Sequence, residues 1–240
     1  GSDVTIIDIR SDIDDELIRS GLEAGVTLHQ GKAIARANGR KSVRSVDVIE
    51  FDCTQLQPAK IKFNLTCDAL LVSGGWTPTL HLISQRGPKP VYDENLAMFV
   101  ASVLPDGFHL AGAAALSFGL QSCVSSGERA GYAAAKECGF SPPQIGETIL
   151  PELPNDEIDI NTVALWEVPD ILGLKSMMKF VDFQNDVKSE DISLAHREGY
   201  DSVELLKRYT TLGMATDQGK TANHNALAIL AHRHKTHIND

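Results

Sequence analysis

The stretch from residue 180 to residue 225 constrains the fold of this chain most strongly. It contains two turn-like sites that are dense in Asp, Asn, Gln, Arg, Thr and Gly, with a short helical pattern between them. Another helical pattern, over residues 223–232, follows the second site. A helix, turn, helix, loop, helix arrangement this short directs loop N–H groups and the start of the last helix to one side, a geometry that suits a phosphate.

Local signals predict the elements of this stretch. Residues 180–183 have the pattern of a strand, and a helix begins near Ser189 and ends at Gly199. Asp201 is the predicted N-cap of a second helix over residues 202–209, because an acid stands at the third helical position. The result is a small α-rich domain.

The opening residues 4–10 predict a buried parallel strand, because a β-branched apolar run ends there in charge. Asp8 and Arg10 fall at its C-terminal edge, where a nucleotide-binding unit contacts ribose or phosphate. A solvated strand end explains both residues equally well. No glycine-rich phosphate loop precedes this strand. We therefore expect a domain entered halfway, with the leading Gly-Ser as a cloning remnant on a fragment of a longer polypeptide.

A β-meander is predicted next. Helical spacing over residues 12–24 and a strand at residues 26–28 lead into it. The pair Asn38-Gly39 is the strongest short-range hairpin signal in the chain. The meander strands are predicted at residues 33–37, 43–53 and 61–65. The fold class is therefore α/β with a β-meander.

Two further apolar strands are predicted, at residues 69–72 and 108–110, and glycine residues follow each of them closely in the sequence. Gly74 and Gly75 follow the first strand, so the backbone there can approach a ligand closely. A tight structural turn is the alternative. Gly112 follows the second strand and precedes a helix rich in small residues.

A proline-rich stretch at residues 141–154 is the best candidate for a domain boundary. The predicted organisation has three parts. They are an α/β domain at residues 1–140, a proline-rich linker with an extended segment at residues 141–178, and the small domain at residues 179–240.

The composition excludes several classes of partner. A net charge of −10 disfavours a nucleic-acid partner, because binding to phosphate backbones needs clustered Lys and Arg. The sequence has no apolar run of about 18 residues and no basic-then-apolar leader. We therefore expect a cytoplasmic protein with no membrane partner.

No metal site is expected from the sequence. The four cysteines lack the close pairs that metal sites use, and they are expected to be buried, reduced thiols. His232, His234 and His237 in the tail do not share one helix face, so a solvated helix end is favoured over a metal site.

Long motifs give the chain a family resemblance. The segments V-D-F-Q-N-D-V, D-I-S-L-A-H-R-E-G and S-V-E-L-L-K-R-Y-T-T-L-G-M-A-T-D-Q-G-K resemble the third region of the alpha subunit of heterotetrameric sarcosine oxidase. Upstream, L-L-V-S-G-G-W-T-P and A-G-A-A-A-L-S-F-G-L-Q-S-C resemble the NAD-binding half of that family. The resemblance covers nearly the whole chain. It implies a partial two-dinucleotide-binding domain, which is Rossmann-like and of the FAD/NAD(P)-binding type. A small α-rich domain of the ferredoxin-like kind called BFD-like follows it.

The family resemblance also implies which subunit holds each cofactor and which step each one performs. The alpha subunit holds NAD, and FMN lies at its interface with the beta subunit, in a complex that also contains gamma and delta subunits. The beta subunit carries FAD and oxidises the N-methyl amine; electrons then pass to FMN, where O2 becomes peroxide, and the imine carbon reaches a folate site. No catalytic residue is expected in this segment, which alone should not turn over.

Cofactor contacts follow by position from the resemblance. Arg208 and Lys220 suit the FMN phosphate, but solvated cations at helix ends are an equal alternative. Ala113 stands where such flavoproteins usually carry an acidic residue, which disfavours ordinary FAD binding. The predicted FMN contacts are Asn185, Asp186, Arg208, Tyr209, Thr210, Thr211, Gln218 and Lys220. The predicted NAD contacts are Gly74, Gly75, Gly112, Phe118, Gly119 and Leu120.

The small domain also resembles ferredoxin-like modules that bind a two-iron, two-sulfur cluster through four cysteines. The corresponding positions here are Asp182, Gln184, Asp217 and Ala222, and none supplies a thiolate. No iron–sulfur cluster is therefore expected. A non-catalytic scaffold or electron-transfer subunit of a related amino-acid or opine dehydrogenase is the alternative function, and the missing cysteines disfavour it.

Overall fold

The structure, a computed structural model, describes residues 1–52, 60–141, 162–171 and 178–240. The chain forms two compact units: Gly1–Val72 with Val163–Asp240, and Ser73–Thr162. These units do not follow the predicted boundaries at residues 140 and 178. Most of the predicted linker lies outside the described residues, so the three-part division, which rests on composition, stays a prediction.

The first unit opens with a parallel β-α-β arrangement, as predicted. Strand β1 (Thr5–Ile7) pairs in parallel with β2 (Thr27–His29), and α1 (Asp15–Glu23) connects them. The Asp14 carboxylate accepts the N–H groups of Glu16 and Leu17 at 2.8 and 3.1 Å, so the helix begins after Asp14.

The exposure of strand β1 differs from the prediction. The strand was expected to be buried, but the side chain of Ile6 is 45% exposed. Asp8 and Arg10 form an ion pair with each other, at 2.8 Å. The Asp8 carboxylate also accepts the Arg10 N–H at 2.9 Å. These contacts match the alternative of a strand end whose charges need no ligand.

The β-meander consists of β3 (Lys32–Gly39), β4 (Val43–Glu50) and β5 (Ile61–Thr66), which pair antiparallel in that order. The predicted turn at Asn38-Gly39 is wrong by two residues, because Asn38 pairs with Ser45 and Gly39 pairs with Val43. A register shift between Asn38 and Gly39 marks a bulge. A Cβ at Gly39 would meet the carbonyl oxygen of Ser42. The glycine therefore serves the bulge, and the turn lies at residues 40–42.

The two further strands predicted at residues 69–72 and 108–110 are absent from the described structure. Leu71 is instead 94% exposed. An apolar run becomes a strand only when a neighbouring strand completes its hydrogen bonds, and no described strand pairs with either segment.

The second unit contains a hairpin that the sequence analysis missed. Strands β6 (Val91–Asp93) and β7 (Met98–Val100) pair antiparallel, and Met98 is only 2% exposed. The unit also contains α2 (His81–Ser84), one turn of 3₁₀ helix (Gly112–Ala115) and α3 (Leu120–Glu137).

The predicted α-rich arrangement is present at the end of the chain. It comprises β8 (Phe180–Asp182), β9 (Val187–Lys188), α4 (Ser189–Arg197), α5 (Val203–Thr210) and α6 (Asn223–His234). These elements enclose a cluster of buried apolar residues that includes Ile192, Leu206 and Ile229. The predicted N-cap of α5 is wrong by one residue: the Ser202 hydroxyl accepts the Leu205 N–H at 3.3 Å.

Residues 162–171 pack onto this cluster through Trp166. The Glu167 carboxylate accepts hydrogen bonds from Ser189 (2.7 Å) and from Arg233 (2.6 Å), and it pairs with Lys179 at 3.2 Å. Burial alone would raise the pKa of Glu167. The Ser189 bond and the charges of Arg233 and Lys179 outweigh burial and hold that pKa below its ordinary value.

Within the described ranges, no helix is long and apolar enough to cross a membrane. Cys67, Cys123 and Cys138 are free. Cys138 is exposed and the other two are only partly covered, so the expectation of buried thiols is wrong for these three. Cys53 lies outside the described residues.

Candidate functional site

The structure brings the two turn-like sites of the small domain together. The first is the connection between β8 and β9, residues 183–186, and the second is the connection between α5 and α6, residues 211–222. Asn185 donates its amide N–H to the Thr211 carbonyl at 2.8 Å. Thr216 donates its hydroxyl to the Gln184 side chain at 3.0 Å. The two connections, called the paired loops below, therefore form one surface.

The buried carboxylate of Asp182 holds the two paired loops through hydrogen bonds. This residue ends β8, and only 2% of its surface is exposed. One carboxylate oxygen accepts the Gly213 N–H at 2.8 Å, and the other accepts the N–H groups of Gln184 and Asn185 at 2.9 and 3.3 Å. Three N–H donors compensate for much of the cost of burying the charge. Asp182 thus ties both loops to one strand end.

The second loop closes around Asn223 at the start of α6. Gly213 and Gly219 have φ angles of +66° and +75°, and a Cβ on either residue would collide with the Asn223 side chain. Asp217 accepts the Gly219 N–H at 3.1 Å and the Thr221 hydroxyl at 2.8 Å. The Gly219 and Thr221 bonds hold the pKa of Asp217 below its ordinary value.

The four positions where related modules carry cluster ligands make ordinary protein contacts. Asp182 and Asp217 accept N–H groups of the paired loops, and Gln184 accepts the Thr216 hydroxyl. Ala222 belongs to the buried apolar cluster. The expected absence of an iron–sulfur cluster stays a prediction, and the two carboxylates now have a role in holding the loops.

The polar side chains predicted to contact FMN differ in whether their hydrogen-bond donors are already used within the protein. Tyr209 donates its hydroxyl to Glu198 at 2.5 Å. Thr210 donates to the Leu206 carbonyl at 2.8 Å, and Thr211 donates to the Thr210 carbonyl at 2.6 Å. These three hydroxyls therefore do not present free donors to a ligand.

Charged and strained residues remain at the loop surface. Arg208 and Lys220 are exposed, and two cations suit a phosphate dianion. Asp186 and Gln218 both have a φ angle of 55°, which places each at a sharp bend of one paired loop. Arg208 and Lys220 are therefore the two cations among the predicted FMN contacts, and the FMN assignment itself stays a prediction.

The paired loops also carry exposed apolar side chains, which the sequence analysis missed. Phe183 is 78% exposed and stacks on Phe180 with ring centroids 6.0 Å apart. Met214, in the second loop, is 53% exposed. A signal was present in the sequence for Phe183, which stands between the polar residues Asp182 and Gln184.

The predicted NAD residues all belong to the second unit. The Gly112 N–H donates to the Ser126 hydroxyl at 2.9 Å, so this donor is used within the protein. Gly119 is buried as the N-cap residue of α3, and Leu120 begins that helix. Phe118 is half-buried. Gly74 and Gly75 are exposed, and a Cβ on either would meet no described atom within 4 Å.

A cleft of about 420 Å³ lies in the second unit. It is lined by residues of the 3₁₀ turn and α3 and by those just before them, among them His109, Ser126 and Arg129. Its volume is within the range of small-molecule sites. Residue patterns do not reveal this cleft, because its walls come from separate segments.

Comparison with a solved structure defines the class of fold. The crystal structure of L-proline dehydrogenase from P. horikoshii matches 97% of this chain with a TM-score of 0.58, while the match covers 45% of that chain. The sequences are 16% identical, so the likeness shows a shared fold alone. The chain thus has an α/β fold found within a dehydrogenase.

Comparison of sequences gives the family. Residues 176–240 match the family model of the sarcosine oxidase A3 domain. Sarcosine oxidase subunit alpha of Rhizobium meliloti (strain 1021) is 37% identical over 90% of the chain, and that of Corynebacterium sp. (strain P-1) is 32% identical over 96%. The resemblance to sarcosine oxidase alpha subunits is confirmed. The chain spans 21% and 24% of the lengths of these two relatives.

Proposed function

We propose that this chain is part of the alpha subunit of a multi-subunit flavoenzyme. The complex oxidises sarcosine with O2 to glycine and hydrogen peroxide, and it passes a one-carbon unit to tetrahydrofolate. Similarity to sarcosine oxidase alpha subunits over at least 90% of the chain carries this proposal. The beta, gamma and delta partner subunits and the cytoplasmic location belong to the same proposal.

In this proposal the paired loops supply part of an FMN site at the interface with the beta subunit. Arg208 and Lys220 hold the phosphate, because both are exposed cations, one in the last turn of α5 and one in the second loop. When bound, FMN passes electrons to O2. The contribution of this chain is to bind the phosphate and to shape the surface around it.

NAD is proposed to bind in the second unit, near the start of α3. No side-chain hydrogen bond caps that helix among the described residues. The N-terminal end of a helix favours anionic groups such as a pyrophosphate.

FMN retention in the assembled complex tests the phosphate assignment. Arg208→Ala and Lys220→Ala should each lower the FMN content after extensive dialysis, since each removes a charged contact with the phosphate. Arg197→Ala is a matched control, because Arg197 is also an exposed arginine in the last turn of a helix of the same domain. Full FMN content in both variants would refute the phosphate assignment.

Peroxide formation tests the wider proposal. The assembled complex should produce peroxide when sarcosine is added. Turnover with an artificial electron acceptor, but not with O2, would favour the alternative of an amino-acid or opine dehydrogenase subunit.

A further inference from the structure

Three metal-ligating side chains converge at one end of the small domain. His196 lies in the last turn of α4, His234 is the last residue of α6, and Asp201 precedes α5. His196 Nδ1 lies 2.9 Å from Asp201 Oδ1, and His234 Nε2 lies 3.8 Å from the same oxygen. The three ligand atoms all lie within 4.8 Å of one another.

We propose that His196, Asp201 and His234 form a binding site for a divalent transition-metal ion of the zinc type. Imidazole nitrogen and carboxylate oxygen are a donor set that zinc accepts, and zinc binds each at about 2.0–2.2 Å. Ligand atoms of a tetrahedral ion therefore lie roughly 3.3–3.6 Å apart. The observed separations bracket this value, so side-chain adjustments of about 1 Å complete the site, and water takes the fourth position.

The local electrostatics favour a cation. His196 and His234 occupy the C-terminal ends of two helices, where the helix dipole is negative. Asp201 adds a full negative charge. The nearest arginine on α6, Arg233, is held by Glu167 at 2.6 Å and by Ser193 at 3.1 Å. Its guanidinium is therefore already paired with a carboxylate.

His234 Nε2 is an atom that a metal ion at this site would satisfy. It is shielded from solvent and has no hydrogen-bond partner among the described residues. Its 3.8 Å separation from Asp201 is too long for a hydrogen bond. The His196 and His234 rings also meet edge to face, with centroids 4.4 Å apart, which keeps both imidazoles at the site.

The site is independent of the proposed FMN contacts and goes beyond the proposed function. A bound ion would join the ends of α4 and α6 to the connection before α5, so it would stabilise the small domain. The spacing of His232, His234 and His237 could not reveal it, because two of its three ligands lie more than 30 residues upstream.

Zinc titration of the 240-residue chain, stripped of metal by a chelator, tests the site. Calorimetry should show one equivalent of Zn²⁺ bound per chain. Asp201→Asn should weaken binding by at least about tenfold, since even the residues that support metal ligands are worth 10–100-fold in affinity. Because Ser202 caps α5, this nearly isosteric change leaves the helix start intact. His234→Ala should weaken binding similarly.

His232→Ala is the matched control, since it removes an exposed histidine from the same helix. It should leave the affinity unchanged. Circular dichroism of each metal-free variant shows whether the fold is kept, and the absorption of bound Co²⁺ in the parent chain and in Asp201→Asn gives a second readout of the ligands. Absence of binding at millimolar Zn²⁺, or equal affinity in the parent chain and Asp201→Asn, would overturn the proposal.

Discussion

A single buried carboxylate, that of Asp182, organises the candidate site at the residue scale. None of its described hydrogen-bond partners is a cation. Three backbone N–H groups stabilise its charge instead. Removing the acceptor leaves buried donors unsatisfied, which is more damaging than losing an ordinary hydrogen bond.

Asp182→Ala should therefore destabilise the small domain by about 3 kcal/mol, as measured by urea unfolding. Asp186→Asn is the control, because Asp186 is exposed and asparagine tolerates its positive φ angle. It should change stability by less than about 0.5 kcal/mol. Equal stability of Asp182→Ala and the parent chain would show that the loops are held by other contacts.

Residue patterns located this site but not its internal contacts. The sequence identified Asp182 and Asp217 only as positions where related modules carry cysteine. Their actual partners are backbone N–H groups, which every residue type provides, so the sequence contains no mark of them. The convergence of His196, Asp201 and His234 was missed for a similar reason, since it depends on how α4 and α6 pack.

At the scale of elements, Glu167 fastens residues 162–171 to α4 and α6. Its lowered pKa means that this contribution to stability is present above the ordinary pKa of 4.5 and is lost as the pH falls through the lower value in the folded state. The parent chain should therefore lose stability on acidification below pH 4.5.

Glu167→Gln should lower the stability at pH 7 by about 2 kcal/mol, because the charges of Arg233 and Lys179 lose their partner. The difference from the parent chain should shrink as the pH falls below 4.5, as measured by urea unfolding at several pH values. Asp170→Asn, which removes an exposed partner of Lys179, should cost less than about 1 kcal/mol. A difference that does not depend on pH would contradict the assignment.

Helices were predicted better than strands at this scale. A helix satisfies its backbone through residues four positions away, so local spacing reveals α4, α5 and α6, although the predicted N-cap of α5 is wrong by one residue. A strand depends on a partner that can be distant in sequence. Residues 69–72 and 108–110 have apolar strand composition but no described partner strand. Conversely, the hairpin of β6 and β7 is short and was missed.

On the scale of the whole molecule, the exposed apolar side chains of the paired loops are the surface that the proposed function assigns to a partner subunit. Phe183 and Met214 are both more than half exposed, and large exposed apolar groups beside a polar rim are typical of protein contacts. The beta subunit is the proposed occupant.

Phe183→Asp should weaken assembly with the partner subunits by at least about tenfold, because a charge replaces an aromatic side chain that the proposed partner would bury. Analytical ultracentrifugation of the complex measures this. Leu17→Asp, in α1, is the control, since Leu17 is 60% exposed and lies outside the small domain. If both variants assemble like the parent, the surface around Phe183 is not the contact.

The hydrogen bonds that both loops donate to Asp182 also affect the rate of ligand binding. Because the carboxylate already holds Gly213, Gln184 and Asn185, the conformational entropy of ordering these loops is lost during folding. A ligand arriving at this surface meets a preorganised backbone, which removes an ordering cost from the binding step. Association there should follow a single, concentration-dependent phase, without a slow step of loop rearrangement.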